Sequence, residues 1–229
     1  GGDDGVQEET VFATPGDLFK HVVLRPHKAF PLCHTLIGVL DNRQVPHPLK
    51  AYRRAERVRS MLKNNIRPYD LPITGFTRDA VLGKDGQAYG QFLLEGARCM
   101  LRPEDRRLLM EYFAKEAQQL NAFPDKNFRL DIDNKIVMVP NSSRFDMSRL
   151  PPMPTQFAEA DHKIPYMIQR IYETCGIREF DVGSIDTDLL VLLICQFYDR
   201  LFSKDLVIKV HRLDYNEIWD LNEFVRLLH

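Results

Sequence analysis

The sequence predicts an α/β domain: a mainly parallel central sheet flanked by helices, with a divergent helical insertion. Three observations lead there. Short apolar runs rich in β-branched residues, such as TLIGVLD and DLVIKV, are bounded by turn residues and read as strands. Longer stretches between them repeat their apolar residues at helical spacing. The two kinds of stretch alternate along 229 residues with no internal repeat, the pattern of strand–helix units around a parallel sheet. One domain over 1–229 is expected, with residues 1–12 as a polar, flexible lead and 68–157 as a divergent insertion or crossover.

In TPGDLFKHVV, Thr14 can cap a helix, Pro15 suits its first position and Asp17 follows three after the cap. Thr35 to Asp41 reads as a buried strand, NRQVPHP as a loop and Lys50 to Arg67 as a helix. Gly83 to Gly90 is a turn, and Gln91 to Leu101 and Pro103 to Leu120 are two further helices. NKIVMVP is a strand candidate. Pro140 to Phe157 holds four prolines and little periodicity, so it is an irregular connection. Ala158 to Cys175 is helical, and Gly176 stops it. A strand from Phe180 leads into SIDTDLLVL and delivers Asp186 and Asp188; Leu189 to Phe202 returns as a helix. DLVIKV is the next strand, and Asn216 to Leu228 the closing helix.

Composition is that of a globular protein, 44% hydrophobic and 28% charged, and a net charge of −1 singles out no partner. Cys33, Cys99, Cys175 and Cys195 form no CxxC pair, which argues against a zinc site or a disulfide framework and for free, mostly buried thiols in a reducing, intracellular setting, nucleus or cytoplasm. The longest apolar run, Leu189 to Cys195, falls short of the roughly 20 residues that span a bilayer, and no secretory signal opens the sequence, so no membrane partner is expected.

Five acids carry the chemical signal. Asp186 and Asp188 lie two apart, and in an extended strand both would point to one face. Clustered carboxylates repel, and a hard divalent cation removes that cost. Asp41 ends an apolar run, and Glu159 and Asp161 open a helix. In open α/β sheets, sites form beyond the carboxyl ends of strands, where all three clusters can meet. Taken singly, each has a plainer reading: Asp41 as a turn residue, Glu159 and Asp161 as first-turn helix acids, the Asp pair as caps. A second signal is the helix PLKAYRRAERVRSMLKNNIRP. Lys50, Arg53, Arg54, Arg57, Arg59, Lys63 and Arg67 stand against the one acid Glu56, while Leu49, Tyr52, Ala55, Val58, Leu62 and Ile66 recur on another side. One side can pack while the other meets phosphate, with affinity but no sequence preference; a solvated charged face is the plainer alternative.

These motifs together resemble the PIN-like 5′-nuclease superfamily of flap endonucleases and 5′–3′ exoribonucleases. GVLDNRQVPHPLKAYRRAERVR is similar to the family's strand ending in Asp, then prolines and a basic helix. FAEADHKIPYMIQRI resembles its acidic pair at a helix start, with His162 and Lys163 closer to the exoribonuclease form, and SIDTDLLVL its Asp-x-Asp-Leu strand. The resemblance spans Leu36 to about Val210. It implies a magnesium- or manganese-dependent phosphodiesterase with two ions, roughly 4 Å apart, held by Asp41, Glu159, Asp161, Asp186 and Asp188, and no covalent intermediate. It implies DNA or RNA as partner, with Lys50, Arg53, Arg54, Arg57 and Lys63 as contacts. The family's first-strand Asp has no counterpart, and Asn42 stands at its Gly. That leaves a second reading, an inactive PIN-like scaffold that binds nucleic acid or a protein. A small-molecule α/β enzyme is a third, without a phosphate-binding glycine loop to support it.

Overall fold

The computed structural model describes residues 14–42, 45–63, 73–88, 103–119, 125–132, 135–140, 145–184, 187–213 and 217–227. The expected helix Gln91 to Leu101, the lead 1–12 and Asp186 lie outside them, as do the side chains of Arg54 and Arg57. The chain is mixed α/β and divides into two compact units, Gly1–Leu24 with His47–Glu116, and Arg25–Pro46 with Ala117–His229.

In the first unit, α1 (Pro15–Phe19) begins as the sequence predicts: the Thr14 hydroxyl accepts from the amide of Asp17 at 3.1 Å and donates to its carboxylate at 3.0 Å. A π-helical turn, Lys20–Leu24, follows. α3 (Pro48–Lys63) is the basic helix. A small hairpin, β2 (Gly75–Phe76) and β3 (Val81–Leu82), and a 3-10 turn at Lys84–Gly86 precede α4 (Pro103–Gln119). The core is aromatic: Phe19 is buried edge-on against Phe113 and Tyr112, at 5.7 and 6.5 Å between ring centroids. Buried Glu116 takes two hydrogen bonds from the Arg78 guanidinium on its single Oε1, at 2.8 and 2.5 Å, charge-assisted bonds that stabilise a desolvated carboxylate.

The second unit holds α2 (Arg25–Ala29), β1 (Thr35–Gly38), β4 (Asn127–Ile132), β5 (Lys135–Val139), a 3-10 turn at Met147–Arg149, α5 (Ala160–Cys175), β6 (Glu179–Ser184), α6 (Thr187–Tyr198), β7 (Val207–Arg212), β8 (Glu217–Asp220) and α7 (Leu221–Leu227). Its strands fall into two three-stranded sheets, ordered β1-β4-β5 and β6-β7-β8. Each has one parallel pair, β1 with β4 and β6 with β7, and one antiparallel pair. The parallel pairs agree with the expected α/β class; among the described residues there are two sheets here where one central sheet was expected.

α5 ties the two sheets together. Its apolar residues look two ways. Ile168 joins Val182, Leu189, Leu193, Ile208 and Val210 beneath β6 and β7, while Met167 and Ile171 pack with Met147 and Leu150, a cluster that also takes Ile37 of β1 and Phe180 of β6. Gly176 ends the helix with φ of 70°, a left-handed conformation that glycine adopts without a Cβ clash, and its amide bonds Tyr172 O at 2.9 Å. Gly183 has a different reason: a Cβ there would lie 2.8 Å from the Phe30 ring.

Three readings of the sequence are corrected. The closing helix is shorter than expected, because Glu217–Asp220 pairs with β7 as a strand and only Leu221–Leu227 is helical. NFRLDI, read as no element, is β4. The described thiols are not mostly buried: Cys33 and Cys175 are half-buried and Cys195 is exposed.

Candidate functional site

The chain end of β1 docks on the start of α5. Asp41 Oδ1 accepts from the amide of Ala160 at 3.0 Å, across 119 residues of sequence. The neighbouring Asn42, buried, donates its amide to Ala158 O at 2.8 Å and its side chain to Thr155 O at 3.0 Å. From the helix side, Lys163 reaches back: its ammonium donates to Leu40 O at 2.6 Å, and the residue is only 5% exposed. Every one of these bonds connects residues 40–42 to the segment 155–163. One bond follows the usual capping pattern, a helix-start amide given to a carboxylate past the end of the strand; in the other three, Asn42 and Lys163 donate to backbone carbonyls.

This arrangement brings Asp41 to the amide that lies between Glu159 and Asp161 in sequence. Glu159 is the N-cap residue of α5, in an extended conformation and without a side-chain cap bond, so Asp41 caps the helix in its place. Asp161 lies in the first turn, half-buried, where the helix dipole favours negative charge. Three of the five expected acids therefore share one helix terminus.

The Asp pair of SIDTDLLVL stands differently from the sequence reading. β6 ends at Ser184 and α6 begins at Thr187, so Asp188 is an exposed first-turn residue of a helix and not the same-face partner of Asp186 on a strand. Asp186 lies in the two-residue link outside the described set. α5 runs into β6, and α6 leaves it, through short connections, and the two helices pack together through Ile168, Leu189 and Leu193. Both helices therefore start toward the carboxyl end of β6. Among the described residues, no three His, Cys, Asp or Glu side chains are grouped closely enough to hold an ion.

Lys163 is the residue whose role went unassigned in the sequence. A buried ammonium costs roughly several kcal/mol unless paired, and here it is bonded to the carbonyl one residue before Asp41. The signal was present in the HisLys step after the acids; its burial was not, because the partner carbonyl is remote in sequence. A similar device holds the entry to β1: buried Lys126 donates to the carbonyls of Phe30, Pro31 and Cys33 at 2.7–2.9 Å.

The expected phosphate contacts sit on α3. Arg53, Arg59 and Lys63 are exposed, and Lys50 is half-buried. His47 caps the helix, its Nδ1 accepting from the amide of Lys50 at 3.2 Å. Of the expected packing side, the described residues are exposed, Leu49 at 70% and Tyr52 at 57%. No helix among the described residues is long and apolar enough to cross a membrane.

No protein-family model matches the chain, and no curated protein and no solved structure is significantly similar to it.

Proposed function

We propose that the protein is a divalent-metal-dependent phosphodiesterase of the PIN-like 5′-nuclease type, acting inside the cell on DNA or RNA. The observation that supports it most is the bond from Asp41 to the amide of Ala160. It gathers acids from opposite parts of the sequence at one helix start, an arrangement that repels itself unless cations or donors offset the charge. Asp41, Glu159, Asp161, Asp186 and Asp188 would hold magnesium or manganese, which supply an activated water and neutralise charge at the leaving oxygen. The chain's own part is to position. Lys163 fixes the strand end, the Ala160 amide of α5 orients Asp41, and Lys50, Arg53, Arg54, Arg57 and Lys63 of α3 bind the phosphate backbone.

A scaffold that binds nucleic acid or a protein without cutting is the second reading. One observation favours it: a carboxylate oxygen of Asp41 already serves a backbone amide, which is sufficient structural reason for an Asp at that position.

The test is cleavage of end-labelled single-stranded and duplex DNA and RNA with magnesium or manganese. The expected result is metal-dependent products, abolished by Asp161→Asn and by Asp188→Asn. No cleavage by wild type, with nucleic-acid or protein binding intact, would replace the enzyme by the scaffold.

A further inference from the structure

α3 carries one serine, Ser60, in its last turn. It is exposed, as are Arg59 and Lys63 beside it. At 3.6 residues per turn, each residue is rotated by about 100° from the one before. Arg53, seven before Ser60, therefore lies about 20° away around the helix, Lys63 about 60° and Lys50 about 80°. Ser60 thus stands among the cations of α3, on a side they share with the helix's one acid, Glu56, about 40° away. In sequence, Arg57 precedes the serine by three and Arg59 by one, within RRAERVRS. The chain has one other serine with an arginine three before it, Ser203 after Arg200. That one is half-buried, and its hydroxyl is bonded to the Asp205 carboxylate. The Ser60 hydroxyl has no hydrogen-bond partner among the described residues.

We propose that Ser60 is a phosphorylation site for an arginine-directed serine kinase, and that the added phosphate releases nucleic acid from α3. The inference rests on the nucleic-acid reading of α3 and names its regulation. Kinases of this kind choose substrates by charge pattern, and the arginines before Ser60 supply the pattern. Access follows from the position: helix ends fray, and Ser60 is in the final turn of a helix whose described side chains are nearly all exposed. In the transfer, the Ser60 oxygen bonds to the γ-phosphorus of ATP and the bond from that phosphorus to the β–γ bridging oxygen breaks. ADP leaves, and the hydroxyl proton passes to the base of the kinase. The phosphoserine brings about −1.5 to −2 charges at pH 7. Beside Lys50, Arg53 and Lys63 that offsets roughly two of the cations that meet backbone phosphates, and it repels the phosphates themselves. The last turn adds to this. A helix C-terminus is already negative, so a phosphate there loosens the turn that carries Lys63. Both effects weaken binding.

The test treats the full chain with ATP and a purified serine kinase that requires arginine three before its target. Peptide mass spectrometry then locates the phosphate, and a fluorescent single-stranded oligonucleotide measures affinity in EDTA at about 0.1 M salt, where the slope of about 0.7 per contact is well expressed. Phosphate should appear on Ser60 and not on Ser203. Ser60→Ala should take none there and bind the oligonucleotide as wild type does. Phosphorylated wild type should bind at least about tenfold more weakly, since two lost contacts at that slope amount to about 25-fold. Ser60→Glu, with one charge, should show a smaller loss in the same direction. Ser60 left without phosphate, or phosphorylated with undiminished affinity, overturns the proposal and leaves the nucleic-acid reading standing. Wild type that takes phosphate on Ser60 but binds no DNA or RNA overturns the nucleic-acid reading, and the release with it, while the modification site stands.

Discussion

The helix that starts at the acids and the helix that carries the basic residues are both sixteen residues long, and they are held by opposite means. α5 buries Lys163, Pro165, Met167, Ile168 and Ile171, contributes to two core clusters, and is bonded at its start to a strand end from a remote part of the chain. α3 leaves every described side chain exposed except half-buried Lys50. Its visible supports are local: the His47 cap and the Tyr52–Glu56 hydrogen bond one turn apart, 2.9 Å. Isolated helices of about this length are marginal in water, and among its described side chains α3 is supported by good helix formers and these local bonds. Under the proposed function the difference would be a division of labour, since chemistry needs acids fixed within a fraction of an ångström, whereas gripping a phosphate backbone needs only exposed charge.

The largest effect should come from the buried side of that comparison. Asp161→Asn keeps the shape of a first-turn residue and removes its charge. Under the proposed activity it should cut the cleavage rate by at least about a hundredfold, because several kcal/mol of charge stabilisation depend on the ion site. Substitution of Arg53 should leave the rate at saturating substrate nearly unchanged. Single-turnover cleavage of both variants measures this, and equal loss in the two would erase the distinction between the helices.

Next in size is Lys163→Met. The change retains an unbranched stem but strips Leu40 O of its donor. A loss of about 2–4 kcal/mol is expected in urea unfolding. Leu49→Ala on α3, 70% exposed, should stay within about 0.5 kcal/mol. A large cost at Leu49 would mean that this residue packs against a neighbour.

The same contrast explains what could be read from sequence. Features written in local chemistry were legible. Thr14-Pro15-x-Asp17 marked the start of α1, Gly176 the end of α5, and the acids at 159 and 161 the start of that helix. Features that depend on a remote partner were not. β4 was missed because NFRLDI puts Arg129 in a strand; the residue is 1% exposed, and its guanidinium is satisfied by Pro151 O at 2.8 Å, a bond no local pattern reveals. β8 exists only through its pairing with β7. DTDLLVLLIC was read with period two at its start, but a continuous apolar run cannot distinguish a strand from a buried helix, and the helix begins at Thr187. That shift moves Asp188 off the strand. Asp41 was legible as a strand-end acid, while the amide it accepts from was not, since 119 residues intervene.

A smaller effect tests the exposed helix directly. Replacing Arg53, Arg59 and Lys63 together by Ala should weaken binding of any single-stranded oligonucleotide. The slope of log affinity against log salt should fall by about 0.7 for each phosphate no longer neutralised. Unfolding free energy should change by less than about 1 kcal/mol, since exposed charges contribute little. An unaltered salt slope would assign α3 to a protein partner.

The smallest expected effect lies at the other end of α5 and concerns pH. Asp205, in the turn before β7, accepts hydrogen bonds from the Ser203 hydroxyl and from Tyr172 Oη of α5 at 3.0 Å, with Arg178 at 3.2 Å. The Ser203 bond first, then the Tyr172 bond, holds its carboxyl below the usual carboxylate range. A carboxyl whose folded value is depressed stabilises the fold above its unfolded value, about 3.9, and that contribution disappears as pH falls through the lower folded value. Wild type should therefore lose urea resistance between about pH 4 and the lower folded value more steeply than Asp205→Asn. The two should differ at pH 6 and converge in acid. The group is exposed, so solvent screens the effect and the gap should be small. Parallel curves from pH 6 into acid would show that the far end of α5 is anchored by its apolar residues alone, and that the polar clasp on Tyr172 adds nothing to the fixed helix.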